Sequence, residues 1–298
     1  MRVEYREEPC RNALNRVKGM PFAWSLNPYM GCAHRCTFCY VRAFELRADR
    51  PADDRYGRSI RVKTNVAAVL ARELARPSRR GEGIAIGAAT DPYQPCEGRY
   101  RLTRSCLEVL ASAASPFSLI TRGPMVVRDL DVLQEASSNA EVSIMFSVPT
   151  LDDEVWRTTE PGTAPPRQRL RALKELVDGG VKASVGMAPI LPGLSDRPEQ
   201  LAEVVRAARE AGAASIWANL LYLKPGTREH FLEALARDWP GELERYERLY
   251  ESRAYLPAAE TQPVRERVRA LARDHGIRDR RPAQPVPPRR PEQLTLAI

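Results

Sequence analysis

A chain of 298 residues, 43% hydrophobic, is long enough to bury one large core, and its pattern fits one α/β domain followed by a tail. No uninterrupted apolar run reaches membrane-spanning length and Met1 to Glu8 form no signal-peptide core, which predicts a cytoplasmic protein with no membrane partner. The formal charge is +8 and only five of the 46 basic residues are lysines. A basic balance favours polyanionic partners, although arginine in place of lysine is also what a GC-rich genome encodes.

Residues 1–20 read as an N-terminal extension. Short apolar runs then alternate with amphipathic stretches. Strands are predicted over Phe22–Leu26, Ile84–Ala88, Phe117–Thr121, Val142–Ser147, Ala183–Ala188 and Ser215–Leu220. Helices are predicted over Val62–Arg76, Thr103–Ser112, Val126–Ala136, Pro166–Gly179 and Pro198–Ala211, with Gly179-Gly180 and Gly212 placed as C-caps. Six such β-α repeats over 21–228 match an α/β fold of the partial, open (β/α)6 barrel type, in which loops at the carboxyl ends of the strands build the active site. From 229 to 277 the pattern is helical (His230–Ala236, Gly241–Arg253, Pro263–His275), as expected of helices packed across an open end or edge. Residues 278–298 turn to Pro, Arg and Gln and read as a disordered tail. The glycines Gly81, Gly83 and Gly87 precede a strand instead of following one, so they form no dinucleotide fingerprint.

The loop after the first predicted strand carries Cys32, Cys36 and Cys39, spaced C-x3-C-x2-C, with Phe38 before the last and Tyr40 after it. Three thiolates within eight residues suit a cubic iron–sulfur cluster with one iron left free of protein, where a small molecule can bind and receive an electron. Structural zinc is the competing reading. It takes four N or S ligands, and His34 inside the loop would complete Cys3His, but zinc knuckles present their ligands as two separated pairs. His34 otherwise fits a loop residue or a hydrogen-bond donor to a cluster sulfur. Cys10, Cys96 and Cys106 share no ligand spacing, which argues against a disulfide framework or a second cluster.

The cysteine loop resembles the signature of the radical S-adenosylmethionine (SAM) superfamily. Further blocks resemble its spore photoproduct lyase-like branch: Ala89-Thr90-Asp91-Pro92-Tyr93-Gln94-Pro95-Cys96-Glu97, Ile120-Thr121-Arg122, Phe146 to Asp152, Glu160 to Pro165, and Ala188 to Gly193. The resemblance implies a [4Fe–4S] cluster ligated by Cys32, Cys36 and Cys39. It also implies SAM chelated to the open iron and cleaved by one electron to methionine and a 5′-deoxyadenosyl radical, with the cofactors carrying the hard chemistry. An electron donor such as flavodoxin or ferredoxin is implied as well. Carried over by position, Thr90 and Asp91 would bind the SAM amino group, and Arg122 and Ser147 its carboxylate. Against that function stands an ordinary Pro-rich turn with an Asp cap at 90–95. The lyase's hydrogen-donor cysteine would fall at Ala88-Ala89, so Cys96 is the nearest substitute; Tyr40 matches one of its two relay tyrosines and Phe38 replaces the other. Tyr29 and Tyr93 are candidates for stacking a nucleobase.

The last residues, Gln293-Leu294-Thr295-Leu296-Ala297-Ile298, resemble the short peptides by which bacterial DNA polymerases and repair proteins dock on the sliding clamp, and a flexible tether would keep the enzyme near DNA. The expectation is a radical SAM enzyme acting on nucleic acid, a DNA lesion foremost. A protein or small-molecule substrate, or a non-catalytic metal-stabilised clamp-binding scaffold, are the alternatives.

Overall fold

The computed structural model describes residues 3–76 and 81–279, so Gln293–Ile298 lies outside the described residues. The chain opens with β1 (Glu4–Glu8), β2 (Leu14–Arg16), β3 (Trp24–Leu26) and β4 (Tyr29–Met30), then α1 (Arg42–Arg47), β5 (Ser59–Lys63) and α2 (Val66–Leu74). There follow β6 (Ile84–Ile86), α3 (Glu97–Tyr100), α4 (Leu102–Ser112), β7 (Phe117–Thr121), a 3-10 turn (Pro124–Asp129) and α5 (Leu130–Asn139). Next come β8 (Val142–Ser147), α6 (Asp153–Thr159), α7 (Pro166–Asp178), β9 (Ala183–Ile190), α8 (Pro198–Glu210) and β10 (Ser215–Leu220). The chain closes with α9 (Thr227–Asp238), α10 (Leu243–Tyr250), α11 (Ala258–Asp274) and β11 (Arg278–Asp279).

The main sheet has the order β11-β10-β9-β8-β7-β6-β3-β2. All its neighbours are parallel except β2, which pairs antiparallel with β3. Six of these strands, β3 and β6 to β10, are the six predicted from apolar runs. Strands β3, β6, β8 and β9 are almost wholly buried, as a parallel sheet covered on its faces requires, while β7 alternates and β10 leaves Trp217 exposed. Helices α7 and α8 each begin with proline in the first turn, where its missing N–H costs nothing. Asp152 caps α6 by accepting from the backbone N–H of Glu154 and Val155, both at 3.0 Å.

Three features depart from the pattern read in the sequence. The N-terminal extension is structural, because β1 and β5 pair in parallel and β4 joins them as a second, three-stranded sheet. The helix expected from Val62 begins at Val66, since Ile60 to Lys63 alternate into that small sheet. The last long helix starts at Ala258, with Pro263 inside it, and Arg278 pairs with Ser215 where the tail was expected to begin. One apolar core surrounds the main sheet. A second packs Cys36 and Phe38 against Phe231, Tyr246 and Tyr250 of the C-terminal helices, so those helices press on the cysteine loop. No helix among the described residues is long and apolar enough to cross a membrane.

Candidate active site

The cysteine loop leaves the carboxyl end of β3 and is held on every side by backbone. Gly31 and Gly57 take positive φ of +83° and +76°, and a Cβ on Gly57 would stand 2.2 Å from the Cys32 carbonyl oxygen. A Cβ on Gly162 would stand 2.5 Å from the Ala33 carbonyl oxygen. The loop after β6 grips the same turn. Thr90 Oγ1 donates to the Gly31 carbonyl (2.6 Å), and the Gln94 amide accepts from Ala33 N–H (2.9 Å) while donating to Gly31 O (3.1 Å). From the far side, Thr37 N–H donates to Thr159 O (2.9 Å) and Gly162 N–H to His34 O (3.1 Å).

Within this cradle Cys32 and Cys36 are buried, Cys39 is partly so, and the Cys39 sulfur lies 3.5 Å from the Tyr56 hydroxyl. Burial opposes ionisation at all three. It raises Cys36 well above the usual thiol range despite Arg122, and raises Cys39 as well. Cys32 behaves differently, because the His34 cation overcomes burial and brings it below that range. His34 is 4% exposed, with Nδ1 3.3 Å from Asp91 Oδ2, an ion-pair contact whose angle falls short of a hydrogen bond. Among the described residues no three His, Cys, Asp or Glu side chains converge on a point that would hold one ion. A cubic cluster requires no such point, since each thiolate ligates a different iron. Three thiols on one turn, two buried and one partly so, with His34 committed to Asp91 and Cys32, are a sulfur donor set and fit a cluster better than a Cys3His zinc site.

Asp91 is a junction between elements. Oδ1 accepts from Thr121 Oγ1 (2.7 Å) and Tyr93 N–H (2.9 Å), and Oδ2 accepts from Arg122 N–H (2.6 Å). Burial would raise its pKa, but His34 and these donors lower it to about 2. Arg122, at the end of β7, donates from Nε to Glu160 Oε1 (2.9 Å), reaches Ala188 O at 3.4 Å, and lies 5.7 Å from the Phe38 ring centroid. Glu160 also takes a short bond from the fully buried Arg169, which donates to Ser147 O at 2.8 Å. Ser147 Oγ donates to Ala188 O at 3.0 Å. Thr90, Asp91, Arg122 and Ser147 therefore gather at the carboxyl ends of adjacent strands beside the cysteines, and their first duty is to tie those ends together. The sequence alone does not show the parts played by Gln94, Tyr56, Glu160 and Arg169; Gln94 and Glu160 fall in stretches that resemble the lyase-like branch, but nothing there pairs Glu160 with Arg122.

The remaining candidates are spread out. The Tyr40 hydroxyl donates to Ala88 O and the residue is 36% exposed. Cys96 is buried among Tyr29, Ile60 and Val62, its thiol pushed up to about 12 by burial and by Glu97. Tyr29 and Tyr93 do not stack bases: both are buried, bonded to Glu97 Oε2 (2.5 Å) and Asp129 Oδ2 (3.0 Å), because each hydroxyl has an internal carboxylate to satisfy it.

Residues 26–205 match the model of the radical SAM superfamily. Uncharacterized proteins of Mycobacterium bovis and Mycobacterium tuberculosis are 37% identical over 287 residues, covering 95% of this chain and 84% of theirs. A protein of Pseudomonas phage M6 called a radical SAM Nalpha-GlyT isomerase is 26% identical over 168 residues, 56% of this chain and 33% of that one. Among solved structures, a spore photoproduct lyase mutant with bound AdoMet and dinucleoside spore photoproduct superposes with a TM-score of 0.69 at 16% identity, over 91% of this chain and 79% of the lyase. That likeness is one of fold.

Proposed function

Because the chain belongs to the radical SAM superfamily, we propose that Cys32, Cys36 and Cys39 hold its cluster and that it acts on a nucleic acid, with a damaged or modified base as the reacting group. It is a radical SAM enzyme, and its cofactors are a [4Fe–4S] cluster and SAM. Together they supply one-electron cleavage of SAM and a carbon radical that abstracts hydrogen. An electron donor must serve it.

The single observation that carries the reading is the cradle: three thiols on one turn at the end of β3, clamped by Gly57, Gly162 and Gln94 and flanked by Arg122. In this reading the protein's own part is placement. His34 steadies the Cys32 thiolate. Asp91 locks the ends of β6 and β7 to the cysteine loop. Arg122, aimed by Glu160, offers its remaining donors to a carboxylate, and Thr90 and Ser147 flank that position. Packing of α9 and α10 on Phe38 keeps water from the turn. Support for a nucleic-acid substrate comes from the +8 charge and from the fold shared with a lyase whose structure holds a bound dinucleoside spore photoproduct.

The test is anaerobic. The full chain is loaded with iron and sulfide, reduced, given SAM and assayed for 5′-deoxyadenosine, with and without irradiated or base-modified DNA. Product that vanishes in Cys36→Ala and rises with DNA is expected. Zinc at the site with no cluster would overturn the metal assignment, and product indifferent to every nucleic acid would overturn the substrate.

A further inference from the structure

Six large hydrophobic side chains among the described residues are exposed, and three of them, Tyr40, Phe44 and Tyr255, are joined through the half-buried Tyr222 beside the cysteine loop. Singly exposed apolar residues need no explanation, but a cluster does. The rings form a ladder. Tyr40 meets Phe44 edge-on at 5.8 Å and Tyr222 at 6.1 Å; Tyr222 then stacks on Tyr255 at 5.0 Å with 17° between planes.

The ladder is built, not incidental. Tyr222 follows the carboxyl end of β10, and Tyr255, 57% exposed, is fixed to it by an antiparallel bridge and by Leu223 N–H donating to Ala254 O at 2.8 Å. Thr227 Oγ1 donates to the Cys39 carbonyl at 3.2 Å, which ties the start of α9 to the cysteine turn. Cations accompany the rings: the Lys224 ammonium lies 5.6 Å from the Tyr255 centroid and the Arg47 guanidinium 4.9 Å from that of Phe44. An exposed stack with flexible cations at its margin offers flat faces to bases and positive charge to phosphates. A protein helix would instead need an apolar groove.

We infer that Tyr255, stacked on Tyr222 and followed inward by Tyr40, receives an unpaired nucleobase next to the reacting one, while Lys224 moves from the ring to the adjoining phosphate. The inference rests on the nucleic-acid reading above and names the surface that would serve it. Because Tyr40 follows Cys39 directly, a strand stacked on this ladder runs toward the cluster turn.

The experiment measures anisotropy of a labelled oligothymidine of about 12 nucleotides on the anaerobically loaded full chain, beside an abasic oligomer with the same phosphates. Tyr255→Ala should weaken oligothymidine binding about tenfold and leave the abasic oligomer unchanged, while Tyr255→Phe and Tyr255→Trp keep the affinity. Lys224→Ala should weaken both oligomers and flatten the salt dependence. If the unaltered enzyme binds neither oligomer, the nucleic-acid reading itself falls. If it binds and Tyr255→Ala binds equally well, or loses both oligomers alike, the ladder alone is refuted.

Discussion

Glu160 offers the sharpest test of how the site is assembled. Its carboxylate is 1% exposed and bridges two guanidinium groups, Arg122 at the end of β7 and Arg169, which is wholly buried. Replacing it with glutamine keeps the shape but takes the paired carboxylate from the buried Arg169 and leaves the half-buried Arg122 only the more distant Asp91. Breaking a buried pair in this way costs about 3–5 kcal/mol. Glutamine still accepts one hydrogen bond, so about 3 kcal/mol is expected, or a melting temperature lower by about 5 °C for a chain of this size. Circular dichroism on the cluster-loaded enzyme reads the shift, and Glu160→Asp should recover part of it. Burial alone would raise the pKa of Glu160, but Arg169 and Arg122 hold it below the ordinary glutamate value. Its stabilisation is therefore complete above the pKa of the unfolded chain and is lost as pH falls through the lower folded one. The gap between the two melting curves should accordingly close in acid. A variant melting within about 1 °C of the parent at neutral pH, well short of the shift expected for a broken buried pair, would refute this account of the network.

Other outcomes follow from the same geometry. Gly57→Ala, which drives a Cβ to 2.2 Å from the Cys32 carbonyl at a φ of +76°, should fold with its cysteine turn displaced and bind less than half of the parent's iron, as read by iron and sulfide analysis. Asp91→Asn removes the charge facing His34 and weakens the bonds from Thr121 and Arg122; a stability loss of about 2–3 kcal/mol by denaturant titration is expected, and none would contradict its role as a junction. Cys96→Ala should retain product formation, since the thiol packs among Tyr29, Ile60 and Val62. Loss of nucleic-acid turnover with 5′-deoxyadenosine formation intact would instead make Cys96 the hydrogen donor. Deleting Gln293–Ile298 should leave SAM cleavage unchanged while abolishing any co-migration with a bacterial sliding clamp in gel filtration.

Much of this protein was determined locally. The spacing of Cys32, Cys36 and Cys39 is a chemical statement in itself, because thiolates that close in one turn suit a cluster whatever surrounds them. The six central strands were also legible, since strands in a sheet covered on both faces read as short, largely apolar runs between amphipathic helices. What the tertiary structure alone decided lies in pairs far apart in the chain. Glu4–Glu8 is a polar run that becomes a strand only because Ser59–Lys63 pairs with it. Arg122 finds Glu160, and Asp91 finds His34, across strand ends that no periodicity brings together. Tyrosines cannot be sorted by sequence either. Tyr29 and Tyr93 turn inward because buried carboxylates satisfy their hydroxyls, whereas Tyr222 and Tyr255 form a ladder because β10 and the α10–α11 connection end side by side. Composition sets which side chains can bond or stack, but the meeting of distant loops at one edge of the sheet decides which of them do.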